Sequence, residues 1–246
     1  MSEFEPTADP KPTRKIVAIV GGIASGKSAV RKIFKRLGAE VLDADAIAHE
    51  VLERREVASE VAEKLQIQQL FQEHDPVQEH DLAGNPSTGR GLGLAGGAAD
   101  PLAYAKGHVQ VDRRKVAKVV FGDSPEANKA LQTLESIVQP RIAQAILEVV
   151  HRWRTSSAPA ILLLDIPLLF ERGWERVCDE VWFVDTPLEM RIRFAGERGW
   201  TPEQLAMRER AQMPVEEKRK RADLIVPNDA DLDGLERQIL LALSRQ

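Results

Sequence analysis

The most specific chemistry in this sequence lies in one run, Gly21-Gly22-Ile23-Ala24-Ser25-Gly26-Lys27-Ser28, which fits G-x-x-x-x-G-K-[ST]. A polyphosphate needs several donors aimed at it at once. Glycines let the backbone curl until successive N–H groups converge on one point. A helix starting near Lys27 adds the positive end of its dipole. Lys27 then supplies a point charge to the β and γ phosphates, and Ser28 offers a hydroxyl to Mg²⁺. Residues 21–29 therefore read as a nucleoside triphosphate site. The plainer reading is a Gly-rich strand-to-helix turn. A chance match is on the order of 1% at ordinary glycine usage, and the flanking strand and helix lower it further.

Three aspartates stand where such a site needs carboxylates. Asp43 and Asp45 follow a short apolar strand, at the end of the sheet where α/β folds bind ligands. Phosphoryl transfer to an alcohol gains from a carboxylate that orients the hydroxyl and accepts its proton. The bland alternative is that Asp45 caps the next helix. Asp165 ends another apolar strand, where a Walker B acid would hold Mg²⁺ through water. A GTPase base reader, N-K-x-D, is missing, because Asn128-Lys129 runs into Ala130-Leu131.

The elements that position these residues are legible from period and punctuation. Residues 16–20 (IVAIV) form a β-branched run that stops at Gly21-Gly22. Val30, Ile33, Phe34 and Leu37 recur at helical spacing, and Gly38 closes that helix. Further strands are expected at 39–42, 161–164, 181–184 and 224–226. Helices are expected at about 46–52, weakly at 57–71, and at 113–120, 126–153, 188–197, 202–212, 215–221 and 232–244. Alternation of this kind gives an α/β fold with a largely parallel sheet of five strands. Residues 1–14 read as a polar tail. Residues 74–108 carry seven glycines and three prolines with no period, and read as a flexible insertion.

Composition narrows the class. The chain has 246 residues, 43% of them hydrophobic, with a formal net charge of −4. That is enough apolar surface for a core, and too little positive charge for a dedicated nucleic-acid binder. A single cysteine, Cys178, fits a reducing compartment. The apolar runs fall well short of the roughly 20 residues of a membrane helix. The cytoplasm is the expected location. His74, His80 and His108 lack metal-ligand spacing.

With the loop joined to its surroundings, the sequence resembles the dephospho-CoA kinases. The segments that carry the likeness are IVAIVGGIASGKSAV (16–30), LGAEVLDADAIAHEVL (37–52), LLLDIPLLFERG (162–173), the stretch 191–228 ending ADLIVPN and, more weakly, VDRRKVAKVVFGD (111–123). The resemblance implies a P-loop kinase fold, with a core over 15–45 and 158–246, a helical acceptor lobe over 46–153, and a lid over about 193–220. It implies transfer of the γ-phosphoryl of ATP, with Mg²⁺, to the ribose 3′-hydroxyl of dephospho-CoA. It assigns the base to Asp45, with Asp43 in support, and the lid arginine to Arg198. It puts Asp165 and Ser28 on the metal, and Asn228 on the adenine edge or holding the loop around it.

Some positions depart from the family pattern. Gln139 stands before Pro140 where a His is frequent, and Asp229 follows Asn228 where Gly is usual. Arg193, Arg208 and Arg210 are further cations of the lid stretch, and Arg113 an acceptor-side candidate. Lys218 to Arg221 reads as a solvated helix face after Glu216-Glu217. Two rival readings stay open: a kinase for another nucleotide-like acceptor, and a non-catalytic ATP- or CoA-binding protein.

Overall fold

A computed structural model describes residues 14–72, 107–122, 124–157 and 159–244. The expected tail and most of the expected insertion lie outside them, as do His74 and His80. The chain divides into two compact units, residues 1–41 with 157–246, and residues 42–156.

The first unit is built on a sheet. Its strands are β1 (Lys15–Gly21), β2 (Glu40–Asp43), which runs across the division of the chain, β5 (Ile161–Asp165), β6 (Glu180–Asp185) and β7 (Leu224–Pro227), in the order β2-β5-β1-β6-β7. The short pair β3 (Phe71–Gln72) and β4 (Gln110–Val111) belongs to the second unit. β1 pairs in parallel with β5 (Val17 opposite Leu163) and with β6 (Ile19 opposite Trp182), and β6 pairs in parallel with β7. A central parallel strand is covered on both faces, which explains why residues 16–20 are apolar without alternation. On one face, α1 (Lys27–Arg36) and the C-terminal helix over Leu232–Ser244 close a core of Val17, Ile19, Phe34, Trp182, Val226 and Ile239. Phe34 meets Trp182 edge-on, with ring centroids 5.6 Å apart.

Helix ends follow the local chemistry. α1 stops where Gly38 takes φ 83°. Gly38 N–H then reaches Lys35 O (3.1 Å), and Ala39 N–H reaches Phe34 O (3.0 Å). The sheet's lower edge is tied by carboxylates: Asp179 accepts from Ile16 N–H (2.7 Å) and Asp223 from Val181 N–H (2.7 Å). The strands' opposite ends are thus left to the loops that carry the site.

The second unit is helical: α2 (Ala44–Glu53), α3 (Arg55–Lys64), α4 (Arg113–Val120) and the long α5 (Pro125–Thr155). Pro125 takes the first helical position of α5, behind a Ser124 cap that accepts from Ala127 N–H (3.1 Å). Ile142, Ile146, Val149 and Trp153 bury one face of α5. Arg141 pairs with Glu60 of α3 at 2.7 Å. The expected helix over 57–71 is corrected. α3 ends at Lys64, and Gln66 and Gln69 take left-handed backbone (φ 53° and 50°), which a helix cannot continue through. Residues 71–72 instead pair antiparallel with 110–111. Strands of two residues are too short for any period to announce them.

The rest of the first unit supplies α6 (Leu188–Gly196), α7 (Pro202–Arg210), α8 (Val215–Arg221) and α9 (Leu232–Ser244). Thr201 and Gln204 form a reciprocal capping box at the start of α7. Among the described residues no helix is long and apolar enough to cross a membrane.

Candidate active site

The phosphate loop begins where β1 ends. Gly26 caps α1 at φ 83°, and a Cβ there would lie 2.7 Å from Asn228 Nδ2. Glycine is therefore required twice, by the backbone angle and by the neighbour. At Gly22 a Cβ would come within 2.7 Å of Arg191 Nη1. The loop is thus packed against polar side chains from two directions.

On one side, Thr186 Oγ1 donates to Ser25 O (2.8 Å), and Asn228 Nδ2 donates both to Ser25 O (3.1 Å) and to Thr186 Oγ1 (3.1 Å). Asn228 is held by its own N–H on Asp185 O (2.8 Å), and both side chains are buried. In a trans peptide the C=O and the following N–H point opposite ways. Fixing Ser25 O inward therefore turns Gly26 N–H outward, as an anion cradle needs. The Asn228 amide thus ties the phosphate loop at Ser25 O to the end of β6 at Thr186. On the other side, the buried Arg191 gives Nε to Thr186 O (3.2 Å) and Nη1 to Glu209 Oε1, which also accepts Ile23 N–H (3.2 Å).

Cations gather at the mouth. Lys27 and Ser28 lie in the first turn of α1, with Ser28 exposed and Ala29 half-buried. Burial pushes the Lys27 ammonium below its ordinary value of 10.5; Asp165 opposes that shift, while Lys218, Arg198 and Arg31 add to it. Asp165 and Arg198 are thereby each within electrostatic reach of Lys27. Arg31 Nε meets Asp165 Oδ2 at 3.3 Å. Arg31, Arg198 and Lys218 thus add positive charge around Lys27, with Asp165 opposing them, an arrangement that favours a polyanion.

Lys218 corrects the solvated-face reading of 218–221. Its side chain is only 8% exposed, and Nζ donates to Gln212 Oε1 (3.0 Å) beside Glu171 (3.5 Å). Burial acts to raise Glu171, but Met213 N–H (2.8 Å) and Lys218 hold it below the usual carboxylate range. Arg219 and Arg221 do stay at the surface, paired with Asp185 (3.3 Å) and Glu175 (3.0 Å). Arg208 stacks on Trp200 at 4.4 Å, and Arg193 lies 5.1 Å from the Phe194 ring.

In the second unit, Asp43 rather than Asp45 caps α2. Its Oδ1 accepts from Asp45 N–H (3.1 Å) and Ala46 N–H (3.4 Å). Asp45 stands exposed in the first turn, where its carboxylate has no capping duty. Sequence reasoning missed Arg31, Thr186, Arg191, Glu209 and Lys218. Only Arg191 left a trace: it shares the i, i+4 face of the buried Ala195, a position the pattern reserves for an apolar residue.

Among the described residues no three or more His, Cys, Asp or Glu side chains converge as a metal site. A hydroxyl and a carboxylate, the groups Ser28 and Asp165 carry, are the oxygen donors that suit Mg²⁺, an ion that keeps waters and takes substrate phosphates as ligands.

Comparison with known proteins agrees with this geometry. A sequence model of the dephospho-CoA kinase family matches residues 15–83 and 100–234. A dephospho-CoA kinase of Thermus thermophilus is 35% identical over 93% of this chain and 90% of its own, and one of Carboxydothermus hydrogenoformans is 32% identical over 94% and 93%. A crystal structure of a Thermus thermophilus protein, 32% identical, superposes with a TM-score of 0.62 over 95% of this chain and 98% of that one. The matches run through the loop, both aspartate segments and the helices after β6, so that the chain belongs to the dephospho-CoA kinase family.

Proposed function

We infer that this protein transfers the γ-phosphoryl group of ATP to the ribose 3′-hydroxyl of dephospho-CoA, giving coenzyme A and ADP, the last step of coenzyme A synthesis. What carries the reading is the phosphate loop of a dephospho-CoA kinase chain, held open by Thr186 and Asn228 with Lys27 at its mouth. In the reaction the 3′-oxygen attacks the γ-phosphorus, the bond from γ-phosphorus to the β–γ bridging oxygen breaks, and ADP leaves with that electron pair. Asp45 orients the hydroxyl and takes its proton; the sequence likeness and its uncapped carboxylate support this role. Lys27 and Arg198 stabilise charge on the equatorial oxygens, supported by their shared electrostatic neighbourhood. Ser28 and Asp165 would hold Mg²⁺, which when bound neutralises charge on the phosphates. The lone Cys178 accords with the cytoplasm as the place of action.

The test is coupled ADP release with dephospho-CoA, adenosine monophosphate and shikimate as alternative acceptors. Turnover is expected with dephospho-CoA at a kcat/KM at least a hundredfold above the others. Equal use of adenosine monophosphate would move the assignment to a general nucleotide kinase. ATP binding without transfer to any acceptor would make this a binding protein.

A further inference from the structure

The inference drawn here rests on the kinase reading and concerns residues to which that reading gives no role. The turn of the phosphate loop is packed on α6 and α7. Ala24 is buried with Ala195 and Leu205, and Ile23, Ile192, Phe194 and Trp200 close around them. Beside this apolar seam runs a polar one. Glu209, in the last turn of α7, accepts Ile23 N–H at 3.2 Å and pairs with Arg191 of α6. Arg191 is 8% exposed, reaches Thr186 O through Nε (3.2 Å), and stands so close to Gly22 that a Cβ there would lie 2.7 Å from its Nη1. A single carboxylate oxygen thus joins the two helices to the loop backbone. The turn between those helices carries Arg198, which follows the last turn of α6, its N–H on Ala195 O (3.0 Å).

We propose that Glu209 and Arg191 are positioning residues that set the register of the α6–α7 hairpin, and with it Arg198, against the phosphate loop. The loop and the lid arginine then move as one body in the described state, rather than meeting by chance when nucleotide arrives. A partly buried charge pair is suited to this work. An apolar seam tolerates sliding, whereas a carboxylate shared between a guanidinium and a backbone N–H accepts only one placement. Misplacement of a transition-state cation by about 1 Å is enough to lower turnover by about a hundredfold.

The test is a double-mutant cycle in the full-length protein. Glu209→Gln keeps size and an acceptor for Ile23 N–H, but removes the charge that holds Arg191. Expected for it alone is a kcat lowered about tenfold to a hundredfold, with KM for ATP within threefold. Arg198→Ala alone tests the kinase assignment of that arginine and should lower kcat at least as much. If Glu209 acts through Arg198, the double variant is no slower than Arg198→Ala within about twofold, because a misplaced arginine that is absent cannot be lost again. A product of the two losses would overturn the proposal and leave Glu209 a merely structural residue. So would a Glu209→Gln variant that keeps wild-type kcat, or one that loses ATP affinity and turnover equally. Wild-type turnover by Arg198→Ala would instead remove the arginine from the mechanism, and the register argument with it. Thermal melts guard the cycle. Should Glu209→Gln fail to fold, Arg191→Lys, which keeps the charge but loses the Nε bond to Thr186 O, takes its place with the same expectations.

Discussion

Lys27 shows what a phosphate site asks of one residue. Burial, and then the charges of Lys218, Arg198 and Arg31, hold its ammonium below 10.5, with Asp165 in opposition. The sign of the linkage follows. The unfolded chain binds this proton more tightly than the folded one, so protonated Lys27 opposes folding at neutral pH. That opposition fades as pH rises from the lowered value towards 10.5. Lys27→Met is therefore expected to be more stable than wild type in denaturant melts at pH 7, with the gap narrowing as pH rises towards 10.5. Its kcat should fall by about 10²–10³, the worth of one preorganised contact to the transition state. A variant less stable than wild type at pH 7, or a gap that ignores pH, would contradict the burial argument. The two aspartates of D-A-D divide their labour in the same testable way. Asp43→Ala removes the α2 cap and should lower stability by about 0.5–2 kcal/mol. Asp45→Asn leaves that cap untouched and should lower single-turnover transfer by roughly 10²–10⁴ while ATP binding persists. An Asp45→Asn rate within threefold of wild type would take Asp45 out of the mechanism.

Elements matter here through their ends. The loop after β7 reaches across to grip Ser25 O, through an Asn228 amide that also feeds Thr186 at the end of β6. Asn228→Asp keeps the shape but aims an oxygen at a carbonyl and a hydroxyl. The loss should be at the upper end of the ~1–3 kcal/mol typical of a buried unsatisfied group. KM for ATP should rise more than KM for dephospho-CoA, since the damage sits under the phosphates; equal rises would count against the loop-holding role. In the other unit, α5 runs through Pro140, which gives no N–H to Ser136 O. Both residues are exposed, so water can serve that carbonyl, and the helix continues. Pro140→Ala should raise stability by about 1–3 kcal/mol, up to the full helix-interior penalty of proline; an unchanged melting temperature would show that proline carries no net cost at this position. Elements of helical length were legible where apolar period and a stop coincide, as at Val30, Ile33 and Phe34 followed by Gly38. The β3–β4 pair was not, and neither was the buried side of α8, where a lysine takes the place an apolar residue would mark.

At the scale of the whole chain, the sheet is assembled from distant sequence. β1 is its central strand, yet both its neighbours come from beyond residue 160. The phosphate motif could be read locally because eight consecutive residues carry it, whereas its supports could not. Thr186, Arg191, Glu209 and Asn228 lie 161 to 203 residues from Ser25 or 186 from Ile23 along the chain, and nothing in a linear pattern announces such partners. The net charge of −4 likewise hides the cations Arg31, Arg198 and Lys218 gathered around Lys27. This topology makes a prediction about where nucleotide stabilises the molecule. A ligand that binds only the folded state at about a hundred times its Kd adds about 2.7 kcal/mol. For a domain of this size that corresponds to roughly 5–10 °C in Tm. The loop's polar anchors lie at the ends of β6 and β7 and on α6 and α7. Added protection in amide hydrogen exchange with a non-hydrolysable ATP analogue should therefore reach residues 180–198, 205–212 and 224–228 as well as 16–31. The anchors are what hold the loop in its binding-competent shape, and they cannot open locally while it is occupied. Protection confined to 21–31, with the distant anchors exchanging as fast as before, would show that the loop binds nucleotide independently of them.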